Sequence, residues 1–164
     1  MSGKENSSSG KGGRWRRLPE LPDEIFDIWH KPGGALNPSS VVATVDTDGK
    51  PRIAPFGSLR AVTPRLLRLV SLRHHDTYSN LARDGHVMVA LLSPPNLAVS
   101  VSGQARVVRE KMSTDERFAV IDIDVKEVKN DMPFRIDIES AINISPGSEF
   151  STWWSTVWKE LEKM

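Results

Sequence analysis

From Ser39 onward the chain is patterned for strands. VVATV (41–45) is β-branched and leads into Thr47-Asp48-Gly49-Lys50, where Asp-Gly predicts a tight type I′ hairpin. The return strand is expected over 52–58, and LLRLVSL (66–72) reads as the next. Strands resume at HVMVALL (86–92), LAVSVSGQARVV (97–108) and FAVIDIDVKEVK (118–129), and SAINIS (140–145) is expected as a short last strand. Two irregularities stand out: Gly103 predicts a bulge or a close backbone approach, and the alternation slips near Val120.

Three segments follow a helical period instead. Pro22, Asp23 and Glu24 open a short helix whose Ile25, Ile28 and Trp29 share a face, and Pro32-Gly33-Gly34 ends it. Residues 76–84, DTYSNLARD, predict a second helix with Asp76 as N-cap and Gly85 at the stop. The last residues, EFSTWWSTVWKELEKM, predict a third, with Ser148 or Ser151 as cap and Phe150, Trp154, Val157, Trp158 and Leu161 on one face.

Six or seven strands with few, short helices imply a mainly β fold, a closed or partly closed antiparallel barrel rather than a doubly wound sheet. The 164 residues suffice for one sizeable core, expected over 18–164. Residues 1–17 read as a disordered basic tail: five cations against Glu5 give +4, leaving −3 of the net +1 for the rest. That balance argues against a general affinity for nucleic acid or membrane. The absence of cysteine removes disulfides, thiolate metal sites and thiol catalysis, and fits a cytoplasmic protein. No apolar run is long enough to span a membrane, and the N-terminus lacks a signal peptide's apolar region.

Chemistry concentrates at 71–81, SLRHHDTYSNL. Ser71, Arg73, His74, His75 and Thr77 lie between a strand end and a helix start, where hydroxyls, a guanidinium fork and helix amides suit a phosphate. The adjacent histidines point to opposite sides of an extended chain and lack a third ligand, so no metal site is expected. Asp122 and Asp124 read as the solvated face of a strand, and Trp153, Trp154 and Trp158 as helix packing or a cover for a partner subunit. No Ser–His–Asp order or paired carboxylates stand out, so no protein-borne catalytic group is assigned.

In order and spacing, Gly49-Lys50-Pro51, Pro55-Phe56-Gly57-Ser58, Ser71-Leu72-Arg73, Asn80-Leu81 and Val101-Ser102-Gly103-Gln104-Ala105 resemble the pyridoxamine 5′-phosphate oxidase-like family of FMN-binding split barrels. The resemblance covers about 35–130. It implies a homodimer of six-stranded Greek-key barrels with FMN at the subunit interface and an oxidoreductase acting on a small substrate. A non-catalytic flavin, haem or deazaflavin module of the same fold is the alternative. It further implies that backbone groups of Ala54, Pro55, Phe56, Gly57 and Ser58 hold the isoalloxazine edge, and that Val70, Ser71, Leu72, Arg73 and Thr77 surround the ribityl phosphate. Two departures matter. Thr77 stands where many members carry Lys or Arg, and the C-terminus lacks the His- and Arg-containing segment with which true pyridoxamine-phosphate oxidases grip substrate, so that reaction is not expected.

Overall fold

The structure, a computed structural model, describes residues 17–164. Of the basic tail expected over 1–17, all but Arg17 lies outside the described residues. Seven strands form one antiparallel sheet: β1 (Ser40–Val45), β2 (Pro51–Phe56), β3 (Arg60–Thr63), β4 (Leu66–Leu72), β5 (His86–Ser93), β6 (Leu97–Arg109) and β7 (Phe118–Asn130). Their order is β2-β1-β5-β6-β7-β4-β3, so the edge strands β2 and β3 are consecutive in the chain. The larger of two cores receives Val42 from β1, Ala61 from β3, Leu67 and Leu69 from β4, Val89 from β5, Val101 from β6 and Ile121 and Ile123 from β7. Of β2 only part-buried Phe56 packs against it. A sheet whose other six strands line one interior must curl around it, which makes this a barrel split between β2 and β3.

Three helices complete the described residues: α1 (Asp23–Trp29), α2 (Asp76–Arg83) and α3 (Ser148–Leu161). α1 adds Ile25 and Trp29 to the core and α2 adds Leu81. α3 covers the outside of the sheet, where Trp154, Val157 and Leu161 pack with Val70, Val120, Met112 and Leu36. Leu69 and Val70 therefore serve opposite cores, as do Ile121 and Val120. Among the described residues no helix is long and apolar enough to cross a membrane.

The strand readings hold with three corrections, and the helix caps need one. Gly49 alone in the first hairpin has positive φ (82°), and its N–H donates to Asp46 O (2.9 Å), with Asp46 N–H donating to Lys50 O (2.9 Å). That is a three-residue loop with a glycine bulge rather than a type I′ turn. The return strand ends at Phe56, because the chain must turn at Gly57-Ser58 to start β3, a four-residue strand whose short pattern gave no periodic signal. Residues 140–145 form no strand; the segment is tied down by Ser39 N–H to Ile142 O (2.9 Å) and by Asn37, whose side chain bonds both backbone groups of Ile144 (2.8 and 2.9 Å). The N-caps are His75 for α2 and Gly147 for α3 in place of Asp76 and the serines. The Gly103 bulge is present in the β6–β7 ladder, and a second irregularity brings Arg109 opposite Val120.

Candidate functional site

The two segments singled out in the sequence meet at the split. Phe56, the last residue of β2, sets its ring edge-on to His75 at 5.9 Å. Ser58 Oγ donates to Val70 O (3.0 Å) and accepts from Val70 N–H (3.1 Å), stitching the turn after β2 to β4. Arg52 of β2 reaches Asp76 at the start of α2 (3.4 Å). The strand with Ala54, Pro55 and Phe56 is therefore held against the strand end and helix start with Ser71, Leu72, Arg73 and Thr77. β2 is an edge strand paired only with β1, so backbone groups on its outer side remain open to a ligand.

Within this junction the residues differ in what they offer. Arg73 donates its backbone N–H to Arg117 O (2.8 Å), while its guanidinium leans toward the β6–β7 connection, 3.4 Å from Glu116 O and 3.6 Å from the exposed Glu110 carboxylate. Its Nε is buried with no hydrogen-bond partner, an unmet donor of the kind an anion satisfies. Ser71 is buried, with its hydroxyl on Leu72 O (3.2 Å), and Leu72 is exposed. Val70 faces α3 and serves packing. Thr77 is buried and its N–H donates to His75 Nδ1 (3.1 Å), whereas the N–H groups of Asp76 and Tyr78 find no acceptor among the described residues. Open amides at the start of a helix favour negative charge. Asp76 stands at that same end, but its carboxylate is engaged by Arg52.

Gly57 has a different environment from the one a bare glycine suggests. A Cβ there would lie 2.5 Å from Ile144 Cδ1 and 3.3 Å from Leu36 Cβ, so the missing side chain makes room for the 140–145 segment crossing the end of β2. Its carbonyl accepts from Lys31 Nζ (2.9 Å). Asn80, the Asn of the Asn80-Leu81 pair, ties α2 to the hairpin by donating to Thr44 Oγ1 (3.0 Å) and Asp46 Oδ1 (2.9 Å).

Three cations near the junction were not singled out from sequence. Arg52 carries the charge that neutralises Asp46 and Asp76, and its place in the 48–58 segment was its signal. Arg60 and Lys31 are buried just behind Gly57-Ser58. Arg60 donates to Ala35 O (2.9 Å) and Ser58 O (3.3 Å), Lys31 to Leu36 O (3.0 Å) and Gly57 O, and neither meets a carboxylate among the described residues. Burial, with repulsion from Arg60, lowers the Lys31 ammonium to about 7, and burial lowers Arg60 to about 10. No local pattern in a sequence distinguishes such residues from surface cations.

Of the two aspartates of β7, Asp122 departs from expectation, whereas the Asp124 side chain is 44% exposed. Asp122 is buried rather than solvated, because Arg68 of β4 grips it through both oxygens (2.7 and 3.0 Å), with Arg106 of β6 nearby (3.8 Å). Asp124 pairs with Arg106 (2.5 Å). Cross-strand register places Arg68 and Arg106 on either side of Asp122, which makes a structural ladder of charge. Among the described residues no group of three or more His, Cys, Asp or Glu gathers as a metal site would require.

The profile of the family described as pyridoxamine 5′-phosphate oxidase matches residues 30–136, the greater part of the chain. The chain belongs to the pyridoxamine 5′-phosphate oxidase family. Among curated proteins none matches. Solved structures share the fold. A candidate pyridoxamine 5′-phosphate oxidase of Lactobacillus delbrueckii is 22% identical with a TM-score of 0.53, over 68% of this chain and 94% of its own. HupZ of Group A Streptococcus is 20% identical with a TM-score of 0.55, over 76% and 99%. An FMN-binding protein of Syntrophomonas wolfei is 13% identical with a TM-score of 0.52, over 68% and 89%. The family match spans all seven strands and α2 and ends before α3, so the helix that covers Val70 and Val120 lies outside it.

Proposed function

We propose that this member of the pyridoxamine 5′-phosphate oxidase family binds FMN at the split of its barrel and acts as a flavin-dependent oxidoreductase on a small substrate. The observation that carries the reading is the junction itself: the 54–58 segment is pinned to the 70–77 segment beside an arginine with an unmet buried donor and a helix start with open amides. The donor set suits a phosphate, with Arg73 as the cation that Thr77 is not. The free edge of β2 suits the hydrogen-bonding rim of a flat ring. Bound flavin would supply the redox chemistry, and the protein's part is binding, orientation and electrostatics. This accounts for the lack of a conspicuous nucleophile or acid–base pair.

The homodimer belongs to the same reading. The outer face of β2-β1-β5 carries Ile53, Met88 and Leu92 exposed, and the register aligns Ile53, Ala43 and Met88 in one row. A second copy of the chain seated on that face would cover this apolar row. The experiment is a titration with FMN followed by the visible absorption spectrum of the gel-filtered protein, with the mass by light scattering on the same column. Co-eluting flavin at dimer mass is the expected result. A colourless protein after loading would reject the cofactor, and flavin bound to a monomer would reject the interface. Bleaching by a nicotinamide donor with reoxidation in air separates an oxidoreductase from a flavin-holding module.

A further inference from the structure

At the start of α2 one amide of the first turn is already taken. The N–H groups of Asp76 and Tyr78 find no acceptor among the described residues, and the one between them, on Thr77, donates to His75 Nδ1 (3.1 Å). A helix start draws an anion through such amides acting together. His75 occupies the middle one as the N-cap of α2, a place more often held by Ser, Thr, Asp or Asn. Its side chain is exposed to solvent, and its ring meets that of Phe56 edge-on at 5.9 Å. The cap therefore sits between the two segments that make the split.

An imidazole caps a helix only while the capping nitrogen carries no proton. Accepting at Nδ1 puts the proton of the neutral ring on Nε2. A second proton turns Nδ1 into a donor, frees the Thr77 N–H and leaves a cation at the helix start. Each change favours a phosphate there, and the phosphate favours the proton in return, because coupling between two bound species is reciprocal. The charges around the ring are otherwise matched. Asp76 of α2 pairs with Arg52 of β2 (3.4 Å), which also holds Asp46 after β1 (2.7 Å). Arg73, just past β4, turns its guanidinium toward Glu110 (3.6 Å), and His74 is exposed. No carboxylate among the described residues pairs with His75 itself.

We propose, resting on the flavin reading, that His75 couples FMN binding to pH. Neutral, it caps α2; protonated, it yields the Thr77 N–H to the FMN phosphate and adds a positive charge at the helix start. The test is fluorescence titration of the full chain with FMN and with riboflavin, which lacks the phosphate. Wild type and His75→Asn are compared at about pH 8 and about pH 5.5, the interval over which imidazole changes charge. Asparagine keeps a cap that does not titrate. The ratio of the two affinities cancels the titration of the FMN phosphate and of His74, which both proteins share. From the higher pH to the lower, wild type should gain about fivefold in FMN affinity over the variant, the low end of site-to-site couplings, and nothing for riboflavin. In wild type alone, saturating FMN should move the His75 ring titration, read from its 15N resonances, to higher pH. A ratio constant with pH, an equal gain for riboflavin, or an unmoved ring titration would each overturn the proposal and leave the flavin reading standing. No FMN binding to wild type at either pH would overturn both. Should His75→Asn not fold, the ring titration in wild type decides it.

Discussion

Ser58 and Val70 hold the split of this barrel together: one hydroxyl both donates to the Val70 carbonyl (3.0 Å) and accepts from its amide (3.1 Å). The edge strands β2 and β3 do not pair with each other, so this side chain does locally what a ladder does elsewhere. It also fixes the turn after β2 against the strand that delivers Arg73.

Ser58→Ala should therefore leave two groups of the Val70 backbone without partners. The expected loss is about 1–2 kcal/mol of unfolding free energy in urea. Amide exchange should show more than a uniform change: Val70 N–H should lose more protection than core amides of β7. Equal loss across all amides would mean that Ser58 acts only through global stability.

Arg73 should discriminate between flavins that differ by their phosphate. Arg73→Ala is expected to weaken FMN by about tenfold or more while leaving riboflavin affinity unchanged, because a charge-assisted fork contributes on the order of 1.5–3 kcal/mol. Arg73→Lys should recover part of the loss, as a point charge without the fork. Parallel weakening of FMN and riboflavin would place Arg73 away from the phosphate.

The distinction between what the sequence disclosed and what it hid follows from range. Asp48-Gly49, the alternation in 118–129 and Gly103 are local signals, and each marks its element in the structure, even though Gly49 closes a bulged loop rather than a type I′ turn. The 54–58 and 70–77 segments could be matched as pieces, and their meeting through Phe56–His75 and Ser58–Val70 is tertiary. Residues 140–145 look like a strand because Ala141, Ile142 and Ile144 alternate partly. Among the described residues their hydrogen bonds go to Ser39 and Asn37, not to a strand, and they form a strap instead. Asp122 reads as solvent-facing because the period places it opposite the barrel core. Only the cross-strand register with Arg68 and Arg106 shows that this outer face is itself covered. Lys31 and Arg60 are invisible for a similar reason: Arg60 is covered by Trp154 and Trp158 of a helix far along the chain, and Lys31 is held by the carbonyls of Leu36 and Gly57.

Glu160 anchors that helix. Its carboxylate accepts from Arg109 (2.7 Å), Ser113 N–H (2.8 Å), and both the amide and hydroxyl of Thr114 (2.7 Å each). Burial alone would raise its pKa, but these donors outweigh burial and hold it at about 2. The folded value is below the unfolded one, so the stabilisation is complete above about 4.5 and is lost as pH falls toward about 2. Glu160→Gln should cost on the order of 2 kcal/mol at pH 7 and flatten the stability decline between those limits. Denaturant midpoints of both proteins across that window give the answer. Parallel acid limbs would show that other carboxylates dominate.

Lys31 should shape the alkaline side in the opposite sense to an ordinary lysine salt bridge. Its amine lies between Leu36 O (3.0 Å) and Gly57 O (2.9 Å), and burial, then Arg60, lowers its pKa from 10.5 to about 7. The unfolded chain thus holds a proton that the folded chain has released between pH 7 and 10.5, and stability must rise with pH across that interval. The measurement is the difference between wild type and Lys31→Met, which cancels what the two proteins share. Wild type should gain stability relative to the variant from pH 7 to pH 10. A constant difference would mean that Lys31 keeps its proton when folded. In that case the four carbonyls around Lys31 and Arg60 would have to compensate two full charges without any carboxylate.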